Sequence, residues 1–196
     1  MPGGQERALR RRINSVQSTK QITRAMELIA ATRVVKAMTR ANAARPYSTK
    51  MTGVIEDLAA GGVGIDDPLL RSSETVSSIG FVVITSDRGL AGAYNSSVIR
   101  AAEKEIMAAQ TEGKEYKLVL VGKKAADYFR FRNYQIEASF SGMTDTPSYE
   151  DARVVATTVR DLFVSEAVDQ VILAYQEFVS MGTQRVAVRK FLPLES

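Results

Sequence analysis

Apolar residues recur every three or four positions along the first sixty residues of the chain, with polar residues between them. Because residues three and four apart share one face of an α-helix, this spacing predicts a helix from about Gln5 to Leu58. At 1.5 Å per residue it would be roughly 75–80 Å long. Sustained repeats of this kind are typical of coiled coils. The predicted seam consists of Leu9, Ile13 and Val16, then Ile22, Met26 and Ile29 after a shift, then Ala30, Val34, Ala37, Ala41 and Ala44.

A proline and a set of arginines also lie within the predicted helix. Pro46 lies inside the pattern and predicts a kink, or an end near Arg45, because proline has no N–H to donate. Arginines fall between the apolar positions, and we expect them on the face opposite the seam: Arg12, Arg24, Arg33 and Arg40.

From residue 79 onward, apolar runs typical of buried strands alternate with helical patterns, whereas residues 59–78 read as a linker loop. Alternation of this type predicts a mostly parallel, Rossmann-like, three-layer α/β domain over residues 79–196, following the long coiled-coil-type helix of residues 1–58. The predicted strands are Ile79–Thr85, Leu118–Val121, Gln135–Phe140, Val171–Tyr175 and Arg185–Leu192. The predicted helices are Asn95–Gln110, Lys123–Phe131 and a helix from a capping box at Ser148 and Asp151 to about Phe163.

The helical patterns also predict caps and buried faces. Asn95 is the expected N-cap of the first helix, and Gly113 follows its end. The buried face of that helix should comprise Val98, Ala102, Ile106 and Ala109, and that of the last helix Ala152, Val155, Val159 and Leu162.

Charge separates the two parts of the chain. The first fifty residues carry eleven Lys or Arg and two acids, a net charge of +9, whereas the remainder has a net charge of −5. The chain contains no Cys and no His, which excludes thiol catalysis, disulfides and histidine acid–base chemistry. We assign no catalytic residue, no metal ligand and no cofactor. No apolar run reaches the roughly 20 residues of a membrane span.

One loop is a candidate for nucleotide binding. Ser86 to Asn95 (SDRGLAGAYN) follows a buried strand and precedes a helix, where cofactors bind in doubly wound sheets. The glycines have the spacing G-x-x-G, which is neither of the phosphate-binding fingerprints, and Asp87 would repel a phosphate. A tight structural turn with a surface role is the favoured interpretation, and a small nucleotide-binding module stays open as an alternative.

The basic residues of the predicted helix also suggest a nucleic acid as a binding partner. Arg10, Arg11 and Arg12 would suit phosphate contacts. However, no aromatic residue precedes Tyr47 to stack on bases, and an apolar seam runs beside the charges. We therefore interpret the basic residues as contacts to acidic protein surfaces and expect no nucleic acid partner.

Two long motifs resemble those of a known family. The stretch from Ile13 to Arg33 (INSVQSTKQITRAMELIAATR) is similar to the N-terminal helix of the gamma subunit of F-type ATP synthase, in its bacterial form. The loop from Ser86 to Asn95 resembles that family's second signature, and Glu177-Phe178 fits a third, weaker one. The resemblance covers essentially the whole chain.

The resemblance implies a rotor function without catalysis. Gamma is the central stalk: its helix stands inside a ring of alpha and beta subunits, and its α/β domain rests on the membrane c-ring and holds the epsilon subunit. It would lie peripherally at the cytoplasmic face of the plasma membrane and couple proton flow to ATP synthesis. The implied alpha–beta contacts are Arg12, Lys20, Arg24, Met26, Arg33 and Lys36. The implied contacts to the c-ring and epsilon are Asp87, Arg88, Leu90 and Tyr94.

The chain departs from the family at its end. Family members continue into a second long helix that packs antiparallel to the first, whereas this sequence stops at Ser196. We therefore expect the seam to lack its usual partner, and the chain to self-associate or to fray along its first forty residues. A gamma-like adaptor without rotary function stays open as a second alternative.

Overall fold

The structure is a computed structural model that describes residues 3–60 and 67–194. The chain divides into two units, Met1–Val63 and Gly64–Ser196. The glycine-rich end of the helical pattern at residues 61–64 and the turn at Asp66 lie outside the described residues.

The described part of the first unit is one helix, α1, Gly3–Ala60, as the apolar spacing predicts. Its 58 residues give a length of about 87 Å at the usual rise. The predicted alternative of an end near Arg45 is wrong, since α1 continues past Pro46 for fourteen residues. Proline removes one main-chain hydrogen bond, at a cost of about 3 kcal/mol, and the many remaining bonds of α1 offset this local loss.

The expected faces of α1 do not form. Arg24 and Arg33 are about two and a half turns apart and therefore lie on opposite sides of the helix, so the prediction of a single basic face is wrong. The apolar residues likewise form two groups: Leu9, Ile13 and Val16 are rotated by about 140° from Ile22, Met26 and Ile29. The shift of register between the two groups causes this rotation.

The second unit contains a five-stranded sheet of order β3-β2-β1-β4-β5. Strands β1 to β4 are parallel and β5 is antiparallel to β4, which confirms the mostly parallel α/β class. The third predicted strand forms only over its last three residues. The strands are β1 Ser78–Ile84, β2 Glu115–Val121, β3 Ala138–Phe140, β4 Gln170–Ser180 and β5 Thr183–Leu192.

Helices cover both faces of this sheet. The first helix, α2 (Tyr94–Thr111), packs with α3 (Lys123–Phe131) on one face, around a core that includes Phe81, Ile106 and Phe129. The last helix, α4 (Tyr149–Val164), packs on the other face through Val159 and Phe163. A short 3₁₀ turn, Pro68–Leu70, precedes the sheet. The unit therefore has the three layers that the pattern predicts.

The predicted buried face of α2 is confirmed: Val98, Ala102, Ile106 and Ala109 are all buried. For α4 the prediction is wrong at Ala152, which is exposed and lines an apolar groove instead of packing in the core. Val155 and Leu162 are half-buried, and Val159 is buried.

The capping box of α4 is confirmed, and the cap of α2 is corrected. Ser148 Oγ accepts from the Asp151 backbone N–H at 3.2 Å, and the Asp151 carboxylate accepts from the Ser148 N–H at 2.9 Å. The Ser148 bonds lower the pKa of Asp151. The N-cap of α2 is Ala93 and not Asn95. The Asn95 side chain instead accepts from the Ser86 backbone N–H at 2.9 Å, because the preceding loop folds back onto it.

Candidate partner-binding site

The edge loop, residues 86–93, connects β1 to α2 at the carboxyl edge of the sheet. Hydrogen bonds of Asp87 join this loop to two other segments. Its carboxylate accepts from the Lys123 N–H at 2.9 Å, from the Thr144 N–H at 3.0 Å and from the Thr144 hydroxyl at 2.6 Å. In return, the Asp87 N–H donates to the Thr144 hydroxyl at 2.8 Å. The edge loop is thus tied to the start of α3 and to the segment that follows β3.

These bonds determine the charge state of Asp87. Partial burial by itself would raise the pKa of Asp87, but the hydrogen bonds from Thr144, Gly142 and Lys123 lower it to about 2. Asp87 is therefore ionised at neutral pH and its carboxylate is occupied by internal donors. Its role is to hold the loop in place.

Other bonds close the loop on itself. The Ser86 hydroxyl and the Asn95 side-chain amide both donate to the Arg88 carbonyl oxygen. Leu90 lies in the loop closed in this way, with 90% of its surface exposed and a left-handed φ of 60°. A bulky residue other than glycine is costly in that conformation, so the surrounding bonds must hold it there. Arg88 also faces outward and pairs with Asp145 at 2.7 Å.

Tyr94 points the other way from Leu90. It is half-buried, its hydroxyl donates to the Ile84 carbonyl oxygen at 3.4 Å, and burial raises its pKa. The structure therefore separates the four residues predicted at this edge. Arg88 and Leu90 are available to a partner, whereas Asp87 and Tyr94 act within the unit.

An apolar groove begins beside the edge loop. It has a volume of about 450 Å³ and lies between the sheet and the first half of α4. Thr85, Ser86 and Thr144 form the end next to the loop. The walls are apolar and include Val82, Leu173, Phe191, Val155 and Ala156.

Nucleotide binding at the edge loop is disfavoured by these bonds. A phosphate at a strand-to-helix loop needs free backbone N–H groups and a positive environment. Here the N–H groups of Ser86, Asp87 and Lys123 already donate to side chains, and Asp87 adds a negative charge. Among residues 3–60 and 67–194, no group of three acidic, His or Cys side chains is arranged to hold a metal ion.

The candidate contacts on α1 all lie on exposed parts of the helix. Arg24 pairs with Glu27 at 2.7 Å, and Met26 is 43% exposed. Successive basic residues point in different directions, so together Arg12, Lys20, Arg24, Arg33 and Lys36 surround the helix axis.

Sequence reasoning missed Thr144 and the apolar tip of the β4–β5 hairpin. Thr144 is 57 residues from Asp87, and no local pattern links the two. For the hairpin a signal was present: apolar residues next to Gly182 lie between two predicted strands. Within the described part of the chain, no helix combines the length and apolar composition that a membrane span needs.

Comparisons with known proteins agree with one another. The family model described as ATP synthase matches residues 5–196. The ATP synthase gamma chain of Kineococcus radiotolerans is 44% identical over 196 residues, covering 98% of this chain and 65% of the relative. The ATP synthase gamma chain of Frankia casuarinae is 45% identical over 195 residues, and the match covers 97% of this chain and 65% of the relative.

A solved structure has the same fold. One chain of the central stalk and c-ring of the Tetrahymena thermophila mitochondrial ATP synthase superposes with a TM-score of 0.68. It is 24% identical, and the match covers 88% of this chain and 72% of that one. This chain spans about 65% of the length of the two gamma chains that it resembles.

Proposed function

This chain belongs to the ATP synthase family, and we propose that it is the gamma subunit in the central stalk of a bacterial, proton-translocating F-type ATP synthase. It transmits rotation between the membrane sector and the catalytic ring, and thereby couples proton flow to ATP synthesis and regulates ATP hydrolysis. The observation that carries this proposal is 44% identity to a gamma chain over 98% of this chain, so that both units are included.

The composition of the chain agrees with a non-catalytic role. Torque transmission requires a stiff element, and a helix of about 87 Å supplies one. It does not require reactive side chains, and this chain has no His and no Cys. The catalytic groups and the nucleotides belong to the alpha and beta subunits.

The basic residues of α1 suit a surrounding partner. A helix lying along a single surface would need charges on one side, whereas Arg24 and Arg33 point in opposite directions. We assign the contacts with the alpha–beta ring to Arg12, Lys20, Arg24, Met26, Arg33 and Lys36. Exposed ion pairs contribute about 0–1 kcal/mol each, so such contacts can break at every rotational step.

The edge loop suits the other end of the stalk. Leu90 and Arg88 supply the direct contacts with the epsilon subunit and the c-ring, and Asp87 and Tyr94 position them. The chain itself lies peripherally at the cytoplasmic face of the plasma membrane. Nucleic acid has no part in this function.

The test is co-elution with alpha and beta subunits from the same source. The unaltered chain should form a complex, and ATP hydrolysis by that complex should depend on it. A triple variant with Arg24→Glu, Arg33→Glu and Lys36→Glu should bind at least about tenfold more weakly, because it reverses three charges on α1. The matched control is Arg100→Glu, Lys104→Glu and Arg130→Glu, which reverses three exposed charges on α2 and α3.

The outcome separates the remaining alternatives. An adaptor without rotary function predicts no co-elution of the unaltered chain with alpha and beta. A nucleotide-binding module predicts a rise in melting temperature with ATP. Equal binding by both triple variants would contradict the assignment of ring contacts to α1.

A further inference from the structure

The apolar groove between the sheet and α4 lies where the order of the strands reverses. From β1 the chain passes through α2 to β2 and on to β3, whereas β4 lies on the other side of β1 and is reached through α4 on the opposite face. In open α/β sheets, ligands bind outside the carboxyl ends of the strands at such a switch point. Val82 and Ile84 of β1 and Leu173 of β4 line the groove, which therefore lies at a position suited to a ligand.

The size and composition of the groove suit a small molecule. Its volume is about 450 Å³. At about 30 Å³ for each water-sized atom, it has room for about fifteen non-hydrogen atoms. Ligand sites in proteins typically enclose about 300–1,000 Å³ and combine apolar walls with a few polar groups. Here the walls are apolar, and the polar side chains that line the groove are five hydroxyl groups and one carboxylate.

The hydroxyl groups of the groove have little to donate to a ligand. Each of them already donates its hydrogen within the α/β unit, to a carbonyl oxygen or to a carboxylate. These bonds are Thr85 to Val121, Ser86 to Arg88, Tyr94 to Ile84, Thr144 to Asp87 and Ser148 to Asp151. What the hydroxyl oxygens still offer is lone pairs, so these side chains favour a ligand that donates hydrogen bonds.

The charge at the groove is negative. Among the described residues that line it, Asp151 is the only charged one. Hydrogen bonds from Ser148 lower the pKa of Asp151, so its carboxylate is ionised at neutral pH. The Ser148 N–H and hydroxyl both donate to Oδ2 of this carboxylate, which leaves Oδ1 for a donor on a ligand. Glu150 and Asp151 together also offset the positive end of the α4 dipole.

We propose that this groove binds a small lipophilic amine, whose apolar body lies between the sheet and α4 and whose protonated amino group donates to the Asp151 carboxylate. A fatty acid fits less well, because its carboxylate would meet Asp151 and would find no basic side chain among the described residues of the lining. The attraction is local, since the whole chain has a net charge of +4. The proposal uses only groups within the α/β unit and does not depend on the proposed function.

The experiment compares three probes that share one apolar body: decylamine, decan-1-ol and decanoate. Isothermal titration calorimetry measures their binding to the full chain, below the concentration at which each probe forms micelles or separates from water. We expect decylamine to bind one molecule per chain, at least tenfold more tightly than decanoate, because the charge of Asp151 attracts one and repels the other. Decan-1-ol should bind with intermediate affinity, since it can donate but has no charge.

Two pairs of variants locate the site. Asp151→Asn should weaken decylamine binding by about fivefold and leave decan-1-ol binding unchanged, because only the ion pair is lost. Its control is Glu150→Gln, which removes the neighbouring charge outside the lining and should change nothing. Ala152→Phe fills the groove from an exposed position of α4 and should abolish binding of decylamine, whereas Thr157→Phe, exposed on the same helix but outside the lining, should not.

The other outcomes overturn the proposal. They are no saturable binding of decylamine, equal binding by Ala152→Phe and the unaltered chain, or decan-1-ol or decanoate binding as tightly as decylamine. A second copy of the chain is the remaining candidate occupant. If sedimentation shows a dimer that Ala152→Phe converts to a monomer and Thr157→Phe does not, the groove is an interface between copies and the amine site is overturned. The proposed function stands in each case, because none of these measurements involves the alpha and beta subunits.

Discussion

The helix α1 and the α/β unit bury their apolar residues to very different degrees. Leu9, Ile13 and Ile22 on α1 have 55–60% of their surface exposed, whereas Phe81, Phe129 and Phe163 in the α/β unit are at most 1% exposed. Most helical stability in proteins comes from packing an apolar face, and α1 has little packing of that kind. The α/β unit therefore has its own core, whereas α1 relies on main-chain hydrogen bonds and on whatever partner covers it.

The largest expected difference between the two regions comes from truncating apolar side chains. Phe81→Ala should lower the free energy of unfolding of the α/β unit by about 3–5 kcal/mol, because it leaves a cavity in the core. Ile13→Ala should change it by less than about 0.5 kcal/mol, since Ile13 is exposed on α1. Urea unfolding followed by hydrogen exchange in residues 67–194 measures both. Similar losses for the two variants would contradict the difference in burial.

A smaller effect is expected at Gly122, where the turn between β2 and α3 approaches Thr85. A Cβ at Gly122 would lie 2.2 Å from the Thr85 carbonyl oxygen, and φ is +94°. Gly122→Ala should therefore cost about 2–4 kcal/mol through overlap and backbone strain together. Gly142→Ala is the matched control: its φ is +85°, and nothing lies within 4 Å of its Cβ. Urea denaturation should show a loss of only about 1 kcal/mol for the control.

The smallest of the three effects concerns Asp87. Its pKa is about 2 in the folded chain, below the ordinary value of 3.8, so its ionised form stabilises the fold above pH 4. Asp87→Asn should cost about 1–2 kcal/mol at pH 7, and this difference should shrink as the pH falls from about 4 to about 2. Urea unfolding at a series of pH values measures it.

The control for Asp87 is Asp127→Asn, at an exposed position of α3. It should change the free energy of unfolding by less than about 0.5 kcal/mol at every pH. Burial raises the pKa of Asp169, but hydrogen bonds from Ser77, Ser78 and Ser73 lower it overall. Because Asp169 is present in all the variants, its contribution to the pH dependence of stability is the same in each and cancels when two variants are compared. A difference between Asp87→Asn and the unaltered chain that persists at pH 2 would contradict the role of its charge.

The two regions also differ in how far the sequence predicts them. Within α1 the 3–4 spacing predicts the helix from Gln5 to Leu58, and the structure has Gly3–Ala60. The spacing was less informative about faces, because a shift of register between Val16 and Ile22 rotates the second apolar group. In the α/β unit, α3 and the capping box at Ser148 were predicted from local signals alone.

Two of the errors in the α/β unit concern the ends of helices and strands, which depend on contacts outside the element itself. Asn95 was predicted to cap α2, but it accepts a hydrogen bond from Ser86 after the loop folds back. The strand at Val171 was predicted to end at Tyr175, but pairing with β5 extends it to Ser180. The partner contact of Asp87 stays a prediction, and its bond to Thr144, 57 residues away, has no local signal in the sequence.

The sequence by itself determined the order of helices and strands, the caps formed between neighbouring residues, and the family. These features depend on residues a few positions apart, so they can be recognised in the sequence directly. Only the tertiary structure decided that the Asp87 carboxylate is bonded within the unit while Leu90 is exposed, and that the β4–β5 hairpin extends past the rest of the sheet. The bonds of Asp87 join positions 57 residues apart, and the extension of the hairpin depends on where the neighbouring strand β1 stops pairing, so both exist only after the sheet has formed.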